Sequence, residues 1–214
     1  MHEAETRRRF WRIAAAGVFF QGGAAAADSS TIVAALVHAL TGSAFAVGAT
    51  AAIGRYGWLF PQLFVGWLAQ SQPRRLPLYM AGAFGRVACL AAVAALLVLT
   101  GDETNPLLVI GFFTLWTAYA FVSGIVAVPY NDIVGRSVAS TKRSRISPDD
   151  RRPAYSGYFN ALAAPAALLP LAGAAIAEAA SYSVVFAASA AAAALQFLAV
   201  RRLREVETEE PQAR

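Results

Sequence analysis

Apolar stretches of about twenty residues or more recur along this chain, separated by short polar breaks. Few folds accommodate them. A helix needs about 20 such residues to cross roughly 30 Å of hydrocarbon. Six candidate spans follow, at about 11–37, 45–69, 76–100, 106–130, 155–177 and 182–203. Their lengths admit tilt without specifying it. The strands of a membrane β-barrel would alternate in polarity over about 10 residues, and these stretches are too long and too uniformly apolar for that. Composition agrees: charged residues make up 14% of the chain, against about 25% in soluble domains. The expected fold class is therefore all-α, a polytopic membrane protein of six transmembrane helices forming a single domain over 1–214. The lone cysteine, Cys89, excludes a disulfide framework and a cysteine zinc site.

The basic residues predict how the spans are oriented. Arg7, Arg8, Arg9 and Arg12 precede the first span, and Arg74 and Arg75 lie between the second and third. Arg136, Lys142, Arg143, Arg145, Arg151 and Arg152 lie between the fourth and fifth, and Arg201, Arg202, Arg204 and Arg214 close the chain. The three intervening loops carry none. Because basic residues mark the cytoplasmic side, the pattern predicts an inner-membrane, multi-pass protein with both termini cytoplasmic. The net charge of +5 then reads as orientation signal and lipid contact, with no nucleic-acid partner. A competing reading takes Thr6–Arg12 as a twin-arginine export signal, with Ala25-Ala26-Ala27 as its cleavage site. The regular alternation of basic loops favours an uncleaved first helix.

The long polar segment at about 131–153 reads as a cytoplasmic loop whose start extends helix four or forms a short surface helix, and 205–214 as a cytoplasmic tail. Small residues four apart, Gly48/Ala52 and Ala187/Ala191, suggest helix-packing faces.

Three charged residues fall deep inside spans, away from their ends: Asp28, Arg55 and Arg86. Charges at mid-bilayer depth cost roughly 2.5–3.5 kcal/mol on insertion scales, so they generally face a cavity or a partner. Counting about 1.5 Å per residue, Asp28 and Arg55 lie at similar depths, roughly 13 and 15 Å below the outer ends of helices one and two. The match predicts an intramembrane ion pair, either as a substrate or proton-coupling site or as a structural pair. Arg86 is roughly 15 Å from the inner end of helix three, with Asn160 and Gln21 as candidate neutral partners. Pro61, Pro165 and Pro170 are candidate kinks that free backbone carbonyls. No nucleophile elbow, zinc-protease motif, phosphate loop or dinucleotide fingerprint is present. The chain is therefore expected to be no enzyme, with no catalytic residues, metal or cofactor.

Several stretches together resemble the bacterial major facilitator superfamily of transporters. Leu40-Thr41-Gly42-Ser43, Val47-Gly48 and Gly57-Trp58-Leu59-Phe60-Pro61-Gln62-Leu63 are similar to its first two helices. Pro73-Arg74-Arg75-Leu76-Pro77-Leu78-Tyr79 occupies the place of its short cytoplasmic loop. The family's loop motif is a Gly, then an Asp, then a basic cluster. Gly66, Arg74 and Arg75 carry over, whereas Gln70 stands where the Asp falls. Asn131-Asp132 through Arg143-Ser144-Arg145 resembles the segment after helix four. Gly157-Tyr158-Phe159-Asn160, Pro165, Pro170, Gly173, Phe186 and Arg201–Glu205 resemble the last two helices. The resemblance thus covers helices one to four joined to helices eleven and twelve, with the middle six missing. It implies secondary transport of a small solute by alternating access, with Asp28, Arg55, Arg86 and Asn160 as the substrate or ion-coupling candidates. A parallel homodimer would restore twelve helices. The alternative is a non-transporting remnant, or a membrane scaffold that serves as a partner subunit.

Overall fold

The computed structural model describes residues 15, 18–19, 22–25, 27–71, 76–101, 105–137 and 169–201, of which 66–71, 128–137 and 200 are described by backbone alone. Among them every regular element is helical: α1 (Ile32–Thr41), α2 (Ala44–Ser71), α3 (Leu76–Thr100), α4 (Pro106–Ser137), α5 (Leu169–Ala179) and α6 (Tyr182–Arg201).

Local chemistry sets the boundaries. Gly42 takes the left-handed conformation, φ 63°, and its N–H donates to His38 O at 2.8 Å, which ends α1. Ser43 Oγ accepts from Ala46 N at the start of α2. Gly101, φ 66°, follows α3. Asn105 Oδ1 accepts from Leu107 N at 2.9 Å, and Pro106 then occupies the first helical position, where a missing N–H costs nothing. Ser181 Oγ accepts from Val184 N ahead of α6.

Three helices are long and apolar enough to cross a membrane: α3, α4 over Pro106–Ala127, and α6 over Tyr182–Ala199. Three of the six expected spans are thus matched, and the other three are not confirmed among the described residues. For two of these the described residues show a physical reason. The first expected span is not one continuous helix. It breaks over 27–31 and resumes as the ten-residue α1, which runs past Val37 to Thr41. Asp28 causes the break: its Oδ1 accepts from Ser30 N at 2.9 Å, from Ser30 Oγ at 2.5 Å and from Thr31 Oγ1 at 3.1 Å. Short polar side chains offer the backbone this alternative to helical bonding. The second span has the expected bounds as α2, but Gly54-Arg55-Tyr56-Gly57 and Pro61-Gln62 interrupt its apolar run. In the fifth, helix is described from Leu169 to Ala179, and residues 155–168 lie outside the described residues. The fourth helix extends to Ser137, so the start of the 131–153 segment continues it. The rest of that segment, the 205–214 tail, Arg74, Arg75, Gln21, Asn160 and Pro165 lie outside the described residues.

In packing, α4 lies against α2 on one side and α3 on the other, and α3 lies against α6. α5 lies against α6, while α1 rests on α2 and touches α4 and α5. The larger apolar core draws Val33, Val37, Leu90, Leu108, Phe112 and Phe186 from α1, α3, α4 and α6. A smaller cluster, Tyr79, Ala83 and Val126, closes the Leu76 end. Outward, Phe45, Leu63, Phe64, Leu99, Leu107 and Leu171 are exposed. Apolar residues outside and polar ones inside fit a lipid surround better than water.

Glycine sets the tightest crossings. A Cβ on Gly124 of α4 would collide with Trp58 O of α2, and one on Gly57 would lie 2.7 Å from Ala120 Cβ. On the other face of α4, a Cβ on Gly82 would meet Val126 Cγ2 at 2.5 Å and one on Gly85 would meet Val122 Cγ1 at 2.9 Å. The expected packing pairs lie elsewhere: Gly48, Ala52, Ala187 and Ala191 are all exposed. Pro61 supplies no N–H to Gly57 O. That oxygen lies 3.1 Å from the Cβ position of Gly124, so the freed carbonyl faces the α2–α4 crossing.

Candidate functional site

Arg86 is the largest fully buried side chain among the described residues, at 1% exposure. It sits ten residues into α3, roughly 15 Å from the Leu76 end. Its Nη1 donates to Gln196 Oε1 of α6 at 3.0 Å, and its Nη2 donates to Tyr119 OH of α4 at 3.3 Å. The guanidinium carbon also lies 5.6 Å from the centroid of the Tyr119 ring, within cation–π range. Gln196 Nε2 in turn donates to Tyr79 OH at 2.7 Å. One connected layer thus joins α3, α4 and α6, with Tyr79 and Arg86 two turns apart on the same face of α3.

The helix directions explain how Arg86 and Gln196 meet. Gln196 is only five residues, about 7 Å, from the Arg201 end of its helix. Side chains lean toward the N-terminus of their own helix. α3 and α6 run antiparallel, so Arg86 leans toward the Leu76 end and Gln196 leans away from the Arg201 end beside it. The two lean into a common plane.

Two apolar clusters bracket this layer. Tyr119 belongs to the larger core and Tyr79 to the smaller one. On the larger side an aromatic ladder leads to the cation. Phe112 and Trp116 stack at 6.1 Å and 7° between planes, and Trp116 and Tyr119 stack at 5.2 Å and 27°. Trp116 Nε1 donates to Thr50 O of α2 at 3.4 Å. Two further hydroxyls lie buried on the same helices. Ser123 is one turn along α4 from Tyr119, and Ser189 is two turns along α6 from Gln196. Neither Oγ has a hydrogen-bond partner among the described residues.

The expected ion pair is not formed. Asp28 Oδ1 is engaged by Ser30 and Thr31, Arg55 is exposed on α2, and no ion pair joins them among the described residues. Matching depth was the basis for pairing them, but it does not fix the azimuth of a side chain around its helix. The Asp28 turn nonetheless lies near the layer. The Cβ position of Gly54 is 3.8 Å from Ser29 Cβ and 3.9 Å from Trp116 Nε1. Of the other sequence candidates, Arg86 is inside the layer, Asn160, Arg74 and Arg75 are outside the described residues, and Gly66 is described by backbone only. His38 is exposed and Cys89 half-buried. Trp58 is exposed, and Tyr182 packs against the larger core. Among the described residues no group of His, Cys, Asp and Glu could hold a metal ion.

Tyr79, Tyr119 and Gln196 carry no charge and so do not stand out in the sequence as Arg86 does. Their signal was the neutral amide of Gln196 in an apolar span, and the seven-residue spacings Tyr79/Arg86 and Ser189/Gln196 that align polar groups on one face. Comparison of the chain with protein-family models, with curated proteins and with solved structures gives no match.

Proposed function

We propose that this chain is a membrane transporter of the major facilitator type, moving a small solute by alternating access, with the Arg86 layer as its solute site. The observation that carries the reading is a buried arginine, ten residues into a helix apolar enough to span a bilayer and held by Gln196 and Tyr119 from two other such helices. A cation at that depth is costly, and such residues commonly mark a solute or ion path. The apolar clusters on either side of the layer are the barriers that alternating access opens in turn. The Asp28 break gives a discontinuous helix beside the path, a feature that transporter binding sites use repeatedly. The resemblance to the superfamily's first four and last two helices supports the same reading.

On this reading the protein is a multi-pass protein of the bacterial inner membrane with cytoplasmic termini, and it has no enzymatic activity. It works as a parallel homodimer, because six helices enclose too little of a path. Two measurements test this. The mass of the purified protein–detergent particle, corrected for detergent, should be that of two chains. In liposomes the protein should take up at least one member of a panel of small carboxylates, sugars, amino acids and amines, and Arg86→Gln should abolish that uptake. A single-chain particle with no uptake of any panel member would refute the proposal and leave the membrane scaffold as the better account.

A further inference from the structure

Arg55 of α2 is exposed, and it makes no ion pair or hydrogen bond among the described residues. Its neighbours fix its depth. The Cβ position of Gly54 lies 3.9 Å from Trp116 Nε1, and that of Gly57 lies 2.7 Å from Ala120 Cβ. Arg55 is therefore level with residues 116–120, near the middle of the α4 span Pro106–Ala127. A charge at that depth requires a partner rather than lipid tails. Lipid phosphates lie beyond the hydrocarbon, whose half-thickness is about 15 Å. Polar groups beside Arg55 are uncovered as well. Ser30 and Thr31 are exposed. Their turn sits at the same level, because the Cβ position of Gly54 is also 3.8 Å from Ser29 Cβ. The three bonds to the Asp28 carboxylate all end on Oδ1, and Oδ2 accepts none among the described residues.

Asp28 is the one carboxylate deep inside the six expected spans, and it does not meet Arg55 of its own chain. A second copy supplies it. A twofold axis along the bilayer normal keeps every residue at its own depth, so a residue meets only groups of its own level across that axis. Asp28 and Arg55 satisfy this condition, and an isologous contact forms the pair twice. An axis beside α2 also brings small side chains together. Gly48 lies two turns before Arg55 on the same face, flanked by Ala51 and Ala52, and all three are exposed. Helices approach closely over such residues. Among the described residues α2 is not apolar enough to cross a membrane on its own, which fits a helix with one face against protein.

We propose that two copies of this chain associate in parallel through the exposed face of α2 and the 27–31 turn, with Asp28 of each copy paired to Arg55 of the other. This inference rests on the homodimer reading and names its interface.

The test uses full-length chains labelled at the C-terminus with donor or acceptor dyes and mixed in phosphatidylcholine liposomes, with energy transfer followed as protein is diluted by lipid. Wild-type chains should associate saturably. Arg55→Gln and Asp28→Asn should each weaken association roughly tenfold or more, and the double variant no further than either alone. Asp28→Asn keeps the acceptor that holds the turn, so the result survives if Arg55→Gln does not fold. Mixing Arg55→Gln chains with Asp28→Asn chains restores one of the two pairs, and should give more transfer than either variant alone. A pair within one chain would not be rescued in that way. Wild-type association in both single variants would overturn the proposal, as would no gain on mixing. Loss of association on adding phosphatidylglycerol would assign Arg55 to a lipid phosphate and overturn it too. The homodimer reading fails separately: dimers that persist in both variants keep it standing while this interface falls, and wild-type chains that never associate remove both.

Discussion

Replacing Gln196 by Leu removes the acceptor of Arg86 Nη1 and the donor to Tyr79 in one step, at nearly constant volume. A hydrogen bond to a charged group contributes about 1.5–3 kcal/mol. The Tyr79 bond, between neutral partners inside a helix bundle, adds about 0.6–1 kcal/mol. The substitution should therefore cost about 2–4 kcal/mol. In a chain of this size each kcal/mol moves Tm by about 2–4 °C, so thermal unfolding of the purified protein in detergent should show a drop of roughly 5–15 °C. The stronger test is a cycle with Arg86→Met. If Arg86 and Gln196 act as a unit, Gln196→Leu should cost only about 1 kcal/mol in the Arg86→Met background, leaving a coupling energy of about 1.5–3 kcal/mol. Equal costs in the two backgrounds, within about 0.5 kcal/mol, would refute the claim that these residues form one layer.

Two further substitutions test the backbone features around that layer. Gly124→Ala puts a methyl against Trp58 O, which as main chain cannot rotate away, and should cost about 1–3 kcal/mol. Gly48→Ala, where nothing lies within 4 Å, should instead raise stability by about 0.5–1 kcal/mol, and the difference in Tm between the two variants checks both. At the helix break, Asp28→Asn keeps an oxygen acceptor and should leave Tm nearly unchanged, whereas Asp28→Ala removes all three bonds and should cost about 1–2 kcal/mol. A large loss in Asp28→Asn alone would mean that the charge, rather than the turn, is what the site requires.

What was legible in the sequence follows from which interactions are local. The end of α3 at Thr100 and the starts of α4 at Pro106 and α6 at Tyr182 are legible because Gly101, Asn105-Pro106 and Ser181 act within a few residues of themselves, whereas α1 runs past the expected Val37 to the Gly42 turn. Arg86 was legible as a residue needing a partner, since burial of a charge in an apolar span has few solutions. Its partners were not, because Gln196 and Tyr119 come from helices 110 and 33 residues away in sequence, and their azimuths are set by packing. The Asp28 break is hidden for the opposite reason. Asp28-Ser29-Ser30-Thr31 is a local turn signal, but the long apolar stretch around it masks it. Gly57, Gly82, Gly85 and Gly124 matter through what crosses them, so no pattern on their own helix reveals them. Gly48/Ala52 has the right spacing and faces outward.

The central claim is that the Arg86 layer is reached from water on both sides of the membrane in turn. Ser123 gives the least disruptive probe: it is buried at 8% exposure, one turn from Tyr119, and its hydroxyl holds no partner among the described residues. Ser123→Cys is made in a Cys89→Ala background, which leaves one reactive thiol, and is labelled in sealed liposomes with a membrane-impermeant thiol reagent applied from one side and then the other. The account predicts labelling from both sides, slowed by bound solute. A thiol inert from both sides would contradict it and make the layer a structural tie between α3, α4 and α6.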